Sequence, residues 1–510
     1  MALQLFSVNA DELVLNTANL NQVMENLKGA EVDALSVISI SGAFRTGKSF
    51  MLDLMVKYLE YHETHHGESG ELTPDVTWAK AADTRPRIHW KAGVDRDTLG
   101  ILIYEKPFIR VVNESRVAIL LIDTQGLWDG ATNYSLLTAI FGLSSTISSV
   151  QIYNLMRNVE LDKLDQIRWF SEFGSSAMKK WESAGSSFQT LHLLVRDWVG
   201  FNASNIKESL VESRKFLKQQ CQQSEFGKFF QKLQEVYSVV EVALKPPPGQ
   251  KCCFEAKFDG NLNDVDDWFL ISVSNYFQRL FNKPVIKQIN GNIVTPEAFR
   301  NLIVQFKDTF ASGAPTTLSF TAAMEMSVTM CTSESALRIY RRSMANAIQN
   351  CKSVEEVDVE HQAAMEKSLA MFARKANYGS GTRISEERQN LSNKIQESKE
   401  EFTLKFKHRT LCGLNHMAPL TSIVIVSFLI DRLSDFTCDW WLSCCEQLSE
   451  VLLNVYIYGA VLIFCALAHH IVNNGGFITS QAMISLAQET HHTILHFVRS
   501  LASQKIHKKE

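Results

Sequence analysis

The sequence predicts an α/β P-loop domain, a mostly parallel sheet between helices, followed by an all-α three-helix bundle, a membrane hairpin and an amphipathic tail helix. Three observations predict it. The run Gly42-Ala43-Phe44-Arg45-Thr46-Gly47-Lys48-Ser49 follows the apolar residues Val37, Ile38 and Ile40, and precedes a helical pattern of Phe50, Leu52, Leu54, Met55, Tyr58 and Leu59. Up to about residue 310, short β-branched runs alternate with amphipathic stretches, as in a sheet covered by helices. From Leu318 to about Lys407 the strand pattern stops, and three long heptad-like stretches, roughly 318–350, 354–377 and 384–407, take its place.

The 510 residues, 45% of them hydrophobic, suffice for more than one core. A net charge of −4 argues against a nucleic-acid partner. The 10 cysteines include adjacent pairs at Cys252-Cys253 and Cys444-Cys445 but no CxxC spacing, so reduced thiols are expected rather than a metal or redox centre. The start lacks a basic stretch and meets Asp11 and Glu12 before any long apolar run, so no cleaved signal peptide is expected.

Strand, glycine loop and helix together let backbone N–H groups turn around an anion while the helix points its positive end at the same place. The expected nucleotide-binding stretch is therefore Ala43, Phe44, Arg45, Thr46, Gly47, Lys48, Ser49 and Phe50. Lys48 reaches the β- and γ-phosphates and the Ser49 hydroxyl ligates Mg2+. A bare glycine turn leaves the Lys-Ser pair after the second glycine unexplained.

The apolar run Val117 to Ile122 reads as a buried strand leading into Asp123-Thr124-Gln125-Gly126. An Asp there holds Mg2+ through water, and Gly126, with Gln125 beside it, lets a backbone N–H approach the γ-phosphate; a simple turn is the alternative. A second run, Leu191 to Val195, ends in Arg196-Asp197-Trp198. A carboxylate at that point can accept from the guanine N1–H and 2-amino group, and the wrong base leaves it unpaired. The Asn/Thr-Lys-x-Asp form of small GTPases is absent, and a surface Arg-Asp pair closing a strand is the other reading.

Pro246-Pro247-Pro248-Gly249 must be a rigid loop. Asn290-Gly291-Asn292 signals a turn, a helix is expected from Pro296 to Phe310, and Ser312-Gly313-Ala314-Pro315 reads as a linker. Of two later apolar blocks, Ala418 to Ile430 stops at Asp431-Arg432 after about a dozen residues, short of the roughly 20 that span a bilayer, and Val451 to Ala468 has about 18. With Trp440-Trp441 between them, they suggest a hairpin inserted from one side. Buried helices of a soluble domain are the alternative, helped by the two charges. Beyond Gly475-Gly476, Ile484, Ala487, His491, Ile494, Leu495, Val498 and Leu501 fall on one helical face ahead of Lys505, Lys508 and Lys509. That suits a membrane-surface helix, and packing on a partner helix equally well. The expected domains are 1–311, the linker 312–317, the bundle 318–410, the hairpin 411–473 and the tail 474–510.

These motifs, with Phe258-Asp259-Gly260 and Ile289-Asn290-Gly291-Asn292 in the same order, resemble the atlastins, membrane-bound fusion GTPases of the dynamin superfamily related to the guanylate-binding proteins. The resemblance implies GTP hydrolysis with Mg2+, a homodimer through GTPase domains and helical bundles, and homotypic fusion at the endoplasmic-reticulum bilayer with both termini cytosolic. It makes Arg45 an arginine finger, so that the catalytic set is Arg45, Lys48 and Thr98. Thr98, in Asp97-Thr98-Leu99-Gly100-Ile101, resembles the switch I threonine over Mg2+ and the attacking water, which gives Ser49, Thr98 and Asp123 as metal ligands. Arg196 and Asp197 resemble the guanine-reading pair, and residues 246–249 lie where the base is capped near the dimer interface. One departure is Trp90-Lys91-Ala92-Gly93, where the family tends to have Trp-Arg-Gly-Gly; Lys91 keeps the charge without the bidentate fork. The rival readings are a soluble guanylate-binding-protein-like GTPase and a curvature protein with a vestigial GTPase.

Overall fold

The computed structural model describes residues 2–9, 12–43, 46–90, 99–126, 133–159, 188–198, 224–254, 258–311, 315–351, 353–376, 381–415 and 418–438, with isolated positions at 313, between 164 and 222, and between 454 and 493. The chain divides into two compact units, residues 1–335 with 376–387, and residues 336–375 with 388–510.

In the first unit, β1 (Ala2–Asn9) and β2 (Glu12–Leu15) form a hairpin leading to α1 (Thr17–Gly29), whose first turn is capped by Asn16 Oδ1 accepting from the Asn19 N–H at 3.1 Å. β3 (Ala34–Gly42), α2 (Lys48–His66), α3 (Thr77–Ala81), β4 (Ile101–Tyr104), β5 (Phe108–Val112) and β6 (Ser115–Thr124) follow. Next come α4 (Tyr134–Ile147), β7 (Val150–Met156), β8 (Phe188–Arg196), α5 (Ser224–Val236), β9 (Tyr237–Leu244), α6 (Gln250–Phe254) and α7 (Asp267–Asn282). The short hairpin β10 (Gln288–Ile289) and β11 (Asn292–Ile293) precedes α8 (Pro296–Phe310) and α9 (Thr317–Ala347).

The sheet runs β2-β1-β4-β6-β3-β7-β8-β9, with β5 also paired to β6. The strands β6, β3, β7, β8 and β9 are parallel. β1, β2, β4 and β5 extend the sheet antiparallel on the β6 side. All nine residues of β3 are buried, as a strand covered on both faces requires. Its alternation sends Leu35 and Val37 to a core shared with α1, α4, α5 and α8, and Ile38 and Ile40 to one shared with α2, α3 and α7. Helices on both faces of a largely parallel sheet are the α/β arrangement that the sequence predicts.

Three serines, Ser36, Ser39 and Ser41, interrupt that apolar pattern, and the last two are matched across the sheet. Gln151 on β7 accepts from Ser39 Oγ and donates through Nε2 to Ser41 Oγ at 2.6 Å, while Ser148 Oγ donates to Ser39 Oγ at 2.7 Å. Buried hydroxyls are tolerated when satisfied in this way.

Two buried lysines give the unit a pH signature. Lys287 Nζ donates to the carbonyls of Thr146 and Ser148, each at 2.7 Å, closing the carboxyl end of α4. Lys245 Nζ donates to Ser272 O at 2.9 Å and lies 5.0 Å from the Tyr276 ring centre. Burial pushes both ammonium groups down to about 7. Folding therefore releases protons between about pH 7 and the unfolded lysine value near 10, so stability rises with pH across that window. The expected slope is at most about 1.4 kcal/mol per pH unit for each lysine. Urea midpoints at pH 7, 8 and 9 check it: the wild-type midpoint should climb, and replacing both lysines by Met should lessen the climb.

In the second unit, residues 336–347 of α9 pack with α10 (Val354–Lys375) and α11 (Gly381–Asn415) from residue 388 onward. Tyr340 Oη pairs with His361 Nδ1 at 2.9 Å, Ser368 Oγ donates to Ala336 O at 2.8 Å, and Arg341 Nε to Ser398 Oγ at 3.2 Å. A helical region thus follows the α/β domain. α12 (Ala418–Cys438) continues past Ile430 through Asp431 and Arg432, and exposes Ile423, Phe428 and Leu429. Among the described residues no helix is long and apolar enough to cross a membrane. Trp440-Trp441, 10 of the 18 residues of the second apolar block and nearly all of the tail lie outside the described residues.

Candidate functional site

The carboxyl ends of β3, β6, β7 and β8 meet on one edge of the sheet, with β3 lying between β6 and β7. The chain leaves β3 for a strand on one side and reaches β7 on the other, and such switch points open a crevice for ligands.

The glycine loop fills the crevice mouth. Ala43 O accepts from Thr46 Oγ1 at 2.8 Å and from Lys48 Nζ at 3.1 Å, so the loop closes on itself. Gly47 has φ 72° and precedes α2 with no side-chain cap on that helix. This left-handed conformation suits glycine, and the uncapped N–H groups remain available to an anion. A Cβ at Gly47 would collide with Arg196 Nη1, which brings the end of β8 against the phosphate loop. Lys48 is buried, and burial, partly offset by the Asp123 carboxylate and reinforced by the Arg196 guanidinium, brings its ammonium down to about 8.

Ser49 Oγ donates to Asp123 Oδ2 at 2.6 Å, which joins the first turn of α2 to the end of β6. A hydroxyl and a carboxylate at the phosphate end of the site are the hard oxygen donors that suit Mg2+ carried by a nucleotide. Thr124 Oγ1 donates to Ile40 O at 2.9 Å, which keeps the end of β6 flush with β3. Gln125 is committed to the backbone: its N–H donates to Gly100 O at 2.8 Å and its Oε1 accepts from the Gly100 N–H at 2.9 Å. Gly126 is buried beside it.

At the end of β8, Arg196 Nη2 lies 3.5 Å from Asp197 Oδ2. Asp197 has φ 55°, a left-handed conformation that Asp tolerates. Its Oδ1 and Arg196 Nε are buried and have no hydrogen-bond partner among the described residues. The pair is held in place by the Trp198 N–H donating to Lys245 O at 2.9 Å and the Lys245 N–H donating to Val195 O at 2.8 Å. The proline loop that follows is tied to α7 by the Asp266 N–H donating to Pro248 O at 3.0 Å.

The structure therefore brings Ala43, Thr46, Gly47, Lys48, Ser49, Asp123 and Arg196 to one place, with Asp197 alongside. Phe50 faces Trp90 and Phe258, with ring centres 5.2 and 6.1 Å away. Phe44, Arg45, Lys91 and Thr98 lie outside the described residues. Sequence reasoning missed Asn154, at the end of β7, whose Nδ2 donates to Thr46 O at 2.7 Å and braces the loop from below. A polar residue at the carboxyl end of an apolar strand was the available signal.

The description "Guanylate-binding protein, N-terminal domain" fits residues 10–289 by its family model. Atlastin-1 of Mus musculus is 33% identical over 316 residues, 59% of this chain and 51% of that protein. Atlastin of Drosophila melanogaster is 29% identical over 411 residues, 76% and 73% of the two chains. Atlastin-2 of Homo sapiens is 34% identical over 279 residues, 53% and 45%. The chain thus spans about half the length of the Atlastin-1 relatives it matches. A glycine loop, an acidic strand end and an Arg-Asp corner in one crevice, within a match that covers more than half of the chain, lead to one conclusion: the chain belongs to the guanylate-binding-protein family of GTPases, with atlastins among its homologues.

Proposed function

We propose that this protein binds GTP with Mg2+, hydrolyses it, and uses the resulting pairing of two copies to tether and fuse endoplasmic-reticulum membranes. The observation that carries the nucleotide reading is the convergence of Lys48, Ser49 and Asp123 at the uncapped start of α2. The N–H groups there take the phosphates, and Lys48 neutralises the β- and γ-oxygens. Ser49 and Asp123 hold Mg2+, which supplies charge stabilisation on the transferred phosphoryl group. Asp197 reads guanine through its N1–H and 2-amino group, and Arg45 and Thr98 complete the catalytic set.

Pairing follows from differential affinity: nucleotide favours the paired conformation only by binding it more tightly than the open one. In this reading residues 1–311 act as the motor, 312–317 as the linker, 318–410 as a three-helix lever, 411–473 as the hairpin anchor and 474–510 as the lipid-disturbing tail. Support for the last steps comes from the atlastin relatives and from the exposed apolar residues of α12.

Reconstituted vesicles test the whole sequence of events. Full-length protein should turn over GTP and mix lipids, and deletion of residues 476–510 should lower lipid mixing with little loss of turnover. Full mixing after the deletion removes the tail's role, and turnover without mixing in the full chain removes fusion. A soluble guanylate-binding-protein-like enzyme is the second reading, favoured by the helical continuation through Asp431 and Arg432. Carbonate extraction separates the two: retention in membranes supports the hairpin, and release supports the soluble enzyme.

A further inference from the structure

The motif Phe258-Asp259-Gly260 takes no part in the chemistry above, yet it converges on the helix that carries Lys48 and Ser49. Phe258 stacks on Trp90 with ring centres 5.9 Å apart and planes 23° apart, and Trp90 meets Phe50 edge-on at 5.2 Å and 77°. Phe50 is the residue after Ser49, so three separate stretches of chain form one aromatic clamp on the first turn of α2. Gly260 has φ 88°, and a Cβ there would lie 3.1 Å from Trp90 Cζ2 and 3.2 Å from Thr84 O. Glycine is required at that point both by its conformation and by the indole packed over it.

A second anchor holds the same arm. Asp53, one turn further along α2, accepts through Oδ1 from the Arg87 N–H at 2.5 Å and the Ile88 N–H at 3.2 Å. Its other oxygen pairs with Lys57 at 3.2 Å, and Lys57 also donates to Asp83 O at 3.1 Å. Arg87 itself reaches Glu60 on α2 at 2.7 Å. Residues 83–90 are thus fastened to α2 by Asp53, Lys57 and Glu60 and by the aromatic clamp at Phe50.

We infer that Trp90, clamped between Phe50 and Phe258, is a positioning residue for hydrolysis: it sets where the arm 83–90 stands relative to Lys48 and Ser49. The inference rests on the GTPase reading above. The phosphate cradle is made by the loop and α2 without the indole, so ground-state affinity does not depend on the clamp. Turnover does, because displacements of about 1 Å at a reacting centre can cost on the order of 100-fold. The indole N–H is buried and has no hydrogen-bond partner among the described residues. Ring packing is therefore what the position uses, and phenylalanine can supply it without leaving a donor unpaired.

The test is turnover and GTP affinity measured side by side on the full chain with Mg2+. Trp90→Ala should lower kcat on the order of tenfold or more while GTP Kd stays within about threefold, and Trp90→Phe should restore kcat. If Trp90→Ala does not fold, Phe258→Leu, which removes the stacking partner, should give the same split. Wild-type kcat in a folded Trp90→Ala protein, a matching rise in Kd, or failure of Trp90→Phe to rescue would each overturn the proposal. Tryptophan emission separates this outcome from that of the GTPase reading. GTP and Mg2+ should change wild-type emission more than that of Trp90→Phe, even if turnover is absent. An identical change in both proteins overturns the role of Trp90 whatever the turnover.

Discussion

Replacing Lys48 with alanine is expected to abolish useful nucleotide binding. Lys48 is buried, its Nζ already turned to the Ala43 carbonyl inside the loop, and it stands where a triphosphate would place its greatest charge. Removing one partner of such a buried charge pair costs about 2–5 kcal/mol, or roughly 30- to 5000-fold in affinity. The loop itself should survive, because Thr46 Oγ1 and Asn154 Nδ2 hold it independently of the lysine. The pH dependence supplies an internal check. In the free site the ammonium is down to about 8 through burial, and phosphate must raise it, so binding takes up a proton. Affinity of the wild type should therefore fall as pH rises above about 8, and Lys48→Ala should lose that dependence. Calorimetric titration with GTP and Mg2+ in buffers of different ionisation heat measures both effects. Wild-type affinity in Lys48→Ala would remove the lysine from the site.

The parts of this molecule that were legible in the sequence are those whose cause is local. A strand, a glycine loop and a helix that must succeed one another were read from consecutive residues, and the acidic residue closing β6 was read from the apolar run before it. The start of the helix Pro296–Phe310 was visible, since Thr295 caps it and Pro296 opens it. What was not legible depends on partners far apart in the chain. Gly100 and Gln125 exchange two hydrogen bonds, Asn154 braces Thr46, and Gln151 satisfies two serines more than a hundred residues upstream. Periodicity carries no information about such pairings. The antiparallel flank of the sheet was hidden for the same reason, because β4 and β5 take their direction from β6 rather than from their own four or five residues. α12 shows a different limit. An apolar count stops at Ile430, whereas backbone hydrogen bonding continues to Cys438, since charged residues are acceptable helix formers.

Arg45→Ala should separate binding from catalysis more sharply than any other single change. In sequence Arg45 falls between Ala43 and Thr46, whose mutual hydrogen bond closes the loop, and it lies outside the described residues. The resemblance to atlastins assigns it as the finger that meets charge appearing only in the transition state. Such charge is absent from bound GTP, and truncation should therefore leave Kd within a few-fold. An arginine used in this way is worth about 10³ to 10⁵ in rate, or roughly 4–7 kcal/mol of barrier. Stimulation by pairing should vanish with it, so the rise of specific activity with protein concentration expected of the wild type should become flat. Arg45→Lys should recover only part of the loss, because an ammonium keeps the charge but not the planar two-donor fork. Single-turnover hydrolysis measured across a range of protein concentrations gives both the rate and its concentration dependence. Unchanged turnover in Arg45→Ala would exclude the finger, whereas a loss of turnover matched by an equal loss of affinity would make Arg45 a ground-state phosphate ligand instead.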